Sequence, residues 1–483
     1  MQEFIPPSIR KKLLARIIPL QEEIESQNKA IRTLTEALDD YSREINQAYS
    51  FIEPQGSTGK KQTQLRGAGD IDLFVGMDPE DYRNILDSDS KQRSKELDRQ
   101  LEFLVDKWFV PALRKLKIRH MQKTYSQHPY LSLEFMGNDV DILVCFDLSA
   151  ERLASEGPIT AVDRTVHHTR YVSERITERL REDVRILKSF ARASHVYADA
   201  CAIGQMGFTG YSLEILILQT GSLKNALMAL NSLEECPIDP LKRDLQVLRE
   251  LPQFRDNSIF IIDPTDTNRN VASSFSDRSY RWLRKQTAGL LEVSTKTDEA
   301  YFDLIIEKPV AAEKPPNWFL AHSFVFEFES DGTVHYTVLR DKLHRLGRKI
   351  TSILEHERTG ERRFGEILFE VYFERNHYSL GFVVESPEIS SHYSRKGPPI
   401  DIPEAEGFRR AHSEIYEIDG YLWVEEKRDW TRSADLTRSL IKNHGIRGLK
   451  LLSKPTDVSA RVLNILYSYI LPLEQDFPLK ATI

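Results

Sequence analysis

The chain has 483 residues, 40% of them hydrophobic and 29% charged, and its net charge is −7 from 66 basic and 73 acidic residues. The length is that of roughly three domains at about 150 residues each, and the composition excludes a wholly disordered, collagen-like or coiled-coil chain. Mild acidity argues neither for nor against a nucleic-acid partner, since a local basic groove is compatible with it. No apolar run reaches the roughly 18 residues of a membrane span, and Met1 to Arg16 has no signal-peptide core. Cys145, Cys201 and Cys236 have neither disulfide-framework nor metal-ligand spacing. A reducing, cytoplasmic setting with no membrane partner is therefore expected.

The first fifty residues read as helix, with Leu13, Ile17, Leu20, Ile24, Ile31, Leu34 and Leu38 near helical spacing and Pro19 dividing the segment. From residue 51 the character changes. Gln55 to Thr63 is a polar, glycine-bearing, basic turn, and Asp70-Ile71-Asp72-Leu73-Phe74-Val75 follows as a strand. Ser88 to Ile118 is charged and helical, with Pro111 as an interruption. Tyr130 to Phe135 and Asp139 to Phe146 are two strands of a hairpin turning at Gly137-Asn138. Residues 160–235 are mainly helical, with a glycine-rich break at 204–212, and Asp263 to Ser276 is turn-rich. Beyond 300, strands (His322 to Phe328, Ile367 to Phe373, Ser379 to Val384, and a later Gly420 to Arg428) alternate with helices such as Leu339 to Glu357. Gly397-Pro398-Pro399 reads as a loop.

The chemistry concentrates in Gly56-Ser57, Asp70-x-Asp72 and Asp141. On a strand, residues i and i+2 share a face, so Asp70 and Asp72 stand side by side, and Asp141 on a neighbouring strand can add a third carboxylate. Three carboxylates at one place repel unless a cation lies among them. Oxygen ligands with room for water suit Mg2+, and two such ions would clamp the attacking and leaving oxygens of a phosphoryl or nucleotidyl transfer. The Gly56-Ser57 turn can hold triphosphate oxygens with backbone N–H groups and a hydroxyl.

Gly56-Ser57 followed by Thr63, Leu65, Arg66 and Gly67, and then Asp70 to Val75, resembles the nucleotidyltransferase signature of the polymerase-β superfamily. More narrowly, the chain resembles the class I, archaeal-type CCA-adding enzymes, or tRNA nucleotidyltransferases. Further segments arrive in family order: His128-Pro129-Tyr130 leading to Val140-Asp141-Ile142, Ala161 to Thr165 with His168, Asp183 to Lys188 with Tyr197, Gly207 to Tyr211, and Asp263-Pro264 with Asp266 and Arg269 to Ala272. Gly59-Lys60, Gln64, Val144 and Val166-His167 depart from the family pattern, none of them at a charge needed for catalysis.

The resemblance implies a multidomain α+β fold. A nucleotidyltransferase head with a mixed sheet (1–160) would precede a mainly helical neck (161–302). An α/β body would span 303–352 and 433–483, and a tRNA-binding tail 353–432. It implies Asp70, Asp72 and Asp141 as catalytic, Mg2+-binding carboxylates, with Asp141 helping to activate the primer 3′ hydroxyl. Gly56, Ser57, Lys60, Arg66, Thr165, His168, Lys188, Tyr197 and Arg269 would bind the nucleotide. The expected partners are tRNA, through its acceptor end and T arm, and CTP and ATP; a homodimer stays open. The implied reaction is template-independent addition of CCA to the tRNA 3′ end with release of pyrophosphate. Another terminal nucleotidyltransferase, such as a poly(A), uridylyl or oligonucleotide-messenger synthetase, and a catalytically silent RNA-binding relative are the alternatives. Taken from the residues alone, Lys188 reads as a solvated helix face, His167 and His168 as a packing pair, Tyr197 as core, and Arg269 as a surface charge or a partner of Asp263 or Asp266. The basic stretches at Lys342 to Lys349, Arg395-Lys396, Arg409-Arg410 and Lys427-Arg428 suit phosphate contacts.

Overall fold

The computed structural model describes residues 4–125, 129–292 and 297–479; His128 lies outside them. The chain is α+β and forms two compact units. The first comprises Met1–Ala198, Phe208–Phe275 and Leu283–Glu307, and the second Asp199–Gly207, Ser276–Trp282 and Lys308–Ile483. Among the described residues no helix is long and apolar enough to cross a membrane.

In the first unit, Pro19 divides the opening helical stretch as expected, into Pro7–Ile17 and Gln21–Glu44. Five strands follow: β1 (Phe51–Gln55), β2 (Ile71–Met77), β3 (Met121–Tyr125), β4 (Pro129–Phe135) and β5 (Asn138–Phe146). They form a mixed sheet in the order β1-β2-β5-β4-β3, with β2 and β5 parallel and the other neighbours antiparallel. The sequence reading missed β1, which contains Pro54. Its position at the sheet edge explains how a residue without an N–H is accommodated. The expected β4–β5 hairpin is present, but it turns at Met136 (φ 54°) and Gly137 (φ 72°), while Asn138 pairs with Phe135. Two left-handed residues give the twist that a two-residue hairpin needs.

Alternation sets the two faces of this sheet. Leu73 and Val75 of β2 and Val140, Ile142 and Val144 of β5 pack under the helices against Leu34, Leu38, Leu101, Leu104 and Trp108. Asp72, Phe74, Asp141 and Cys145 therefore point to the other face, where Phe74 and Cys145 meet Val166. Pro111 does not break its helix. The helix Ser90–Leu104 continues through a π-turn at Val105–Phe109 into Val110–Lys115, and the wider turn absorbs the hydrogen bond that proline cannot donate. The helices Arg164–Arg175, Glu178–Ala193, Gly210–Thr220 and Leu223–Asn231 follow. The turn-rich stretch from Asp263 opens on a short hairpin, β6 (Ile262–Asp263) with β7 (Asp266–Asn270).

The second unit contains β8 (Ser323–Ser330), β9 (Ile367–Glu374), β10 (His377–Val384), β11 (His392–Pro399), β12 (Ile415–Ile418), β13 (Tyr421–Lys427) and β14 (Leu449–Leu451). Strands β14-β8-β10-β9 form one antiparallel sheet and β11-β13-β12 another. The helices Tyr336–Glu355 and Ser433–His444 bury Leu339, Leu343, Ile350, Leu436 and Ile441 against the larger sheet. Gly397-Pro398-Pro399, expected as a loop, is the end of β11, where the pairing with β13 becomes irregular between Lys396 and Pro399.

Trp108 is fully buried and its Nε1 donates to the Leu38 carbonyl at 2.7 Å. Trp108→Ala leaves a cavity under the sheet and removes that hydrogen bond. It is expected to cost about 3–5 kcal/mol in urea unfolding, and a loss below about 1 kcal/mol would show that this helix–sheet core does not hold the unit together.

Candidate active site

The parallel pairing of β2 with β5 puts Asp72 directly opposite Asp141. Asp70 lies just before β2, not on it, with its carbonyl accepting from the Thr58 hydroxyl at 2.8 Å. Asp141 accepts from the Ser132 hydroxyl at 2.5 Å. Burial, then Asp141, then Asp70 push the Asp72 carboxyl up to about 7, while Lys61 pulls it down. The three carboxylates are thus close enough to repel one another.

The donor set suits a hard divalent cation. Gly56 (φ 68°) lies so near that a Cβ there would come within 2.5 Å of Asp72 Oδ2. Gln55 faces Asp72 across the β1–β2 pair, and its buried Oε1 has no hydrogen-bond partner. Among the described residues, however, no group of three or more His, Cys, Asp or Glu side chains is gathered tightly enough to enclose an ion as it stands. The oxygens fit the ion in kind and position, and closing around it requires the carboxylates to draw together.

The loop after Gly56-Ser57 is gripped by one helix. From Glu178–Ala193, Arg181 donates to the Lys61 carbonyl at 3.1 Å, Arg185 to those of Gln62 and Gln64 at 2.7 and 3.2 Å, and Lys188 to that of Thr63 at 3.3 Å. Residues 181, 185 and 188 share a helix face. Gln62 holds a left-handed φ of 50° under this grip. At the centre lies Glu214, fully buried. One oxygen takes Lys188 at 2.7 Å and the Thr63 hydroxyl at 2.6 Å, and the other takes Lys61 at 2.9 Å. Burial alone would raise the Glu214 carboxyl, but Lys188 and Lys61 outweigh it and hold the group down to about 2.

A second buried anion, Asp263, gathers His168, Tyr211, Thr265 and Arg269. It accepts from His168 Nε2 at 2.8 Å, Arg269 at 2.9 Å, the Tyr211 hydroxyl at 2.9 Å and the Thr265 hydroxyl at 2.8 Å. These donors hold its carboxyl well below the usual range against its burial. His168 stacks on Tyr211 with ring centroids 3.9 Å apart. Burial lowers the His168 pKa, and Asp263 works against that shift.

Several expected residues thus come together. Thr165 is half-buried in the first turn of the His168 helix. Tyr197 brings its hydroxyl beside Lys188, at the place where a Cβ on Gly210 would meet both. Lys188 is not a solvated face residue but 1% exposed and ion-paired. His167 and His168 are not a packing pair, since His167 turns to the Leu148 carbonyl. Arg269 is the ion-pair partner of Asp263, and Asp266 instead binds Arg164 at 2.8 Å. Two residues are drawn elsewhere. Lys60 is exposed and pairs with Glu53, and Arg66 spans the Ala15 and Ile18 carbonyls at 2.8 and 2.9 Å, holding the end of the first helix. Sequence reasoning missed Lys61 and Glu214, and it named Thr63 only as part of the signature. A glutamate in the apolar run Leu213-Glu214-Ile215-Leu216-Ile217 was the available signal.

A carboxyl whose folded pKa is depressed stabilises the fold above its ordinary value and loses that contribution as pH falls. Glu214→Gln leaves two buried lysines without a counter-charge and is expected to cost about 3–5 kcal/mol in urea unfolding at neutral pH. The gap from the native chain should narrow as pH falls from 4.5 towards about 2. A gap constant over that window would mean that the Glu214 charge is not what the lysines need.

Residues 182–302 match the family described as tRNA nucleotidyltransferase, second domain. The CCA-adding enzyme of Sulfurisphaera tokodaii is 26% identical over 90% of this chain and 92% of its own. That of Methanocaldococcus jannaschii is 25% identical over 94% of each. Among solved structures, E. coli MS115-1 CdnC with ATP overlays 63% of this chain and 99% of its own, with a TM-score of 0.46 and 16% identity. With relatives of one kind matching nearly end to end, the chain is similar along its length to the CCA-adding enzymes, the tRNA nucleotidyltransferases.

Proposed function

We propose that this enzyme adds C, C and A stepwise to the 3′ end of tRNA, using CTP and ATP, releasing pyrophosphate each time and needing no nucleic-acid template. The observation that carries the reading is the direct pairing of Asp72 with Asp141 beside the Gly56 loop. The primer 3′ oxygen attacks the α-phosphorus of the nucleotide, its bond to pyrophosphate breaks, and the hydroxyl proton is lost. Asp72 and Asp141, with Asp70, would hold two magnesium ions, which when bound supply charge neutralisation at the attacking and leaving oxygens.

The protein's own work is positioning and electrostatics. Asp141, hydrogen-bonded by Ser132, would help to activate the 3′ hydroxyl. The Gly56-Ser57 turn offers backbone N–H groups to the phosphates, and the helix that grips residues 61–64 keeps that turn in shape. On the base side, Asp263 holds Arg269 and His168 in one arrangement. An arginine fixed this way can read the hydrogen-bonding edge of cytosine or adenine together with the RNA end, without a template.

In this reading, residues 1–160 are the catalytic head and 161–302 the neck. Residues 303–352 and 433–483 form the body, and 353–432 the tail that grips the acceptor and T arms of a cytoplasmic tRNA. The tail's arginines are engaged within the protein: Arg395 with Glu426 at 2.6 Å, Arg409 with Glu417 at 2.8 Å and Arg428 with Glu357 at 2.7 Å. Phosphate contacts there would come from exchanging these pairs as well as from cations beside them.

The test is extension of tRNA ending before, after one and after two C residues, with magnesium and one nucleoside triphosphate at a time. The expected outcome is C, C, then A, then arrest. Asp72→Ala should abolish transfer while leaving tRNA affinity within about twofold, since it removes charge from the chemical step and not from the RNA contacts. Unlimited A or U tails would replace the proposal with a terminal-transferase reading, and tRNA binding without any addition would point to a silent RNA-binding relative.

A further inference from the structure

The chain of the first unit leaves it twice to join the second and returns each time, at Asp199–Gly207 and at Ser276–Trp282. Both excursions start or end beside residues of the candidate site. The first runs between Tyr197 and Tyr211, and the second follows Arg269 by a few residues. Within the first unit, two backbone hydrogen bonds of 2.8 Å close the root of the first excursion, Ala198 N–H to the Phe208 carbonyl and Phe208 N–H to that of Val196. Phe208, just after that excursion, packs on Phe275, just before the other, with ring centroids 4.1 Å apart. The two roots are therefore one place in the first unit.

Within the second unit, one carboxylate holds both excursions. Glu370 of β9 is fully buried. Its Oε2 accepts from the Gly204 N–H and from Arg278, each at 3.0 Å, and its Oε1 accepts from the Val371 N–H at 3.0 Å. Arg278 also donates to the Phe369 carbonyl at 2.8 Å. The excursions are laced to each other as well, with the Ser279 hydroxyl on the Ile203 carbonyl at 2.5 Å and the Ser276 N–H on the Met206 carbonyl at 2.9 Å. His344 Nε2 lies 4.0 Å from Oε1, but burial outweighs the pull of Glu370 and lowers the imidazole to about 4. At neutral pH the cation paired with Glu370 is thus Arg278. A buried anion with such donors cannot release one without leaving charge desolvated.

We propose that Glu370 is a positioning residue for nucleotide binding: by fixing both excursions it fixes, through the chain itself, where Tyr197, Tyr211 and Arg269 stand. The inference rests on the nucleotidyl-transfer reading above and adds to it a determinant of nucleotide affinity in the second unit. Excursions freed from Glu370 would let the flanking segments sample more conformations, and that freedom would have to be lost again when a nucleotide binds.

The first excursion carries its own probe. Cys201 is 5% exposed, its Sγ lies 3.3 Å from the Gly204 carbonyl, and burial pushes its thiol up to about 12. Cys145 is buried too, and Cys236 is exposed. In the native full chain an aromatic disulfide reagent should label Cys236 and spare Cys201, as read by mass spectrometry of the peptides. Glu370→Gln puts an amide NH2 among N–H donors. It should lower the transition temperature, and at temperatures well below that transition it should speed Cys201 labelling about tenfold. Calorimetric affinity for CTP with magnesium should fall about fivefold. Loss of folded chain would lower the stoichiometry of binding and not the affinity, so the affinity separates positioning from mere stability. Gly204→Ala is the second variant should Glu370→Gln fail to fold: at φ 77° its Cβ would come within 2.6 Å of Ser279 Oγ, while Glu370 and Arg278 stay intact. Faster Cys201 labelling with unchanged CTP affinity in either folded variant overturns the inference and leaves Glu370 a structural clamp. A fall in CTP affinity without any change at Cys201 overturns it as well. Calorimetry needs no turnover, so a native chain that binds CTP in a Glu370-dependent way but does not extend tRNA would retain the inference and remove the CCA-adding reading, and a native chain that binds no CTP overturns both.

Discussion

Placing two carboxylates at one level of a sheet is costly, and the first unit is organised around that cost. The parallel β2–β5 pair allows no offset, since Asp72 has Asp141 as its partner and Leu73 and Ile142 are anchored on the far face. A slip of one residue would relieve the repulsion, but it would also turn the apolar set out of the core, so packing on one face enforces repulsion on the other. Gly56, with no Cβ, leaves open the space that Asp72 Oδ2 occupies. The result is a carboxyl raised by its burial and its neighbours to about 7.

The positive charge that answers these carboxylates is arranged differently. It sits on long side chains fixed by two buried anions, Glu214 and Asp263. Each joins segments remote in sequence: Glu214 ties Lys61 and Thr63 to Lys188, and Asp263 ties His168 and Tyr211 to Arg269. A buried anion with three or four donors is inflexible, since losing any one donor leaves a desolvated charge. In the proposed reading, cations so held would meet the nucleotide with little side-chain entropy left to lose on binding. The price is that any phosphate must compete with the protein's own carboxylates for the same cations.

How much of this could be read from the sequence follows from the range of each interaction. The strand bearing Asp72, the hairpin bearing Asp141 and the division at Pro19 are local patterns and were legible. The edge strand β1 was not, because five residues with a proline carry no usable alternation. The misplaced turn at Gly137 was an error of one residue, hidden because Met136 gives no sign of adopting a left-handed φ. Lys188 and Arg66 show the deeper limit. Both are basic residues in motif-like positions, yet one is buried against a glutamate 26 residues away and the other holds carbonyls about 50 residues away. Sequence spacing cannot distinguish a cation aimed at a ligand from one aimed at the protein's own backbone.

The same argument bears on the basic clusters of the second unit. Counted along the sequence, Arg395-Lys396, Arg409-Arg410 and Lys427-Arg428 look like a patch offered to RNA phosphates. In the fold, Arg428 is nearly buried against Glu357, and Arg395 and Arg409 each face a glutamate. Lys396 lies over the Tyr421 ring at 3.4 Å. Exposed ion pairs contribute little to stability and exchange readily, so Arg409, half-exposed with its partner, remains available to a phosphate. Arg428, held by a buried carboxylate and two backbone carbonyls, does not. The cationic surface that a polyanion meets is therefore smaller than the count of basic residues. It is set by which pairs the polyanion can displace, and burial of the partner carboxylate decides that residue by residue.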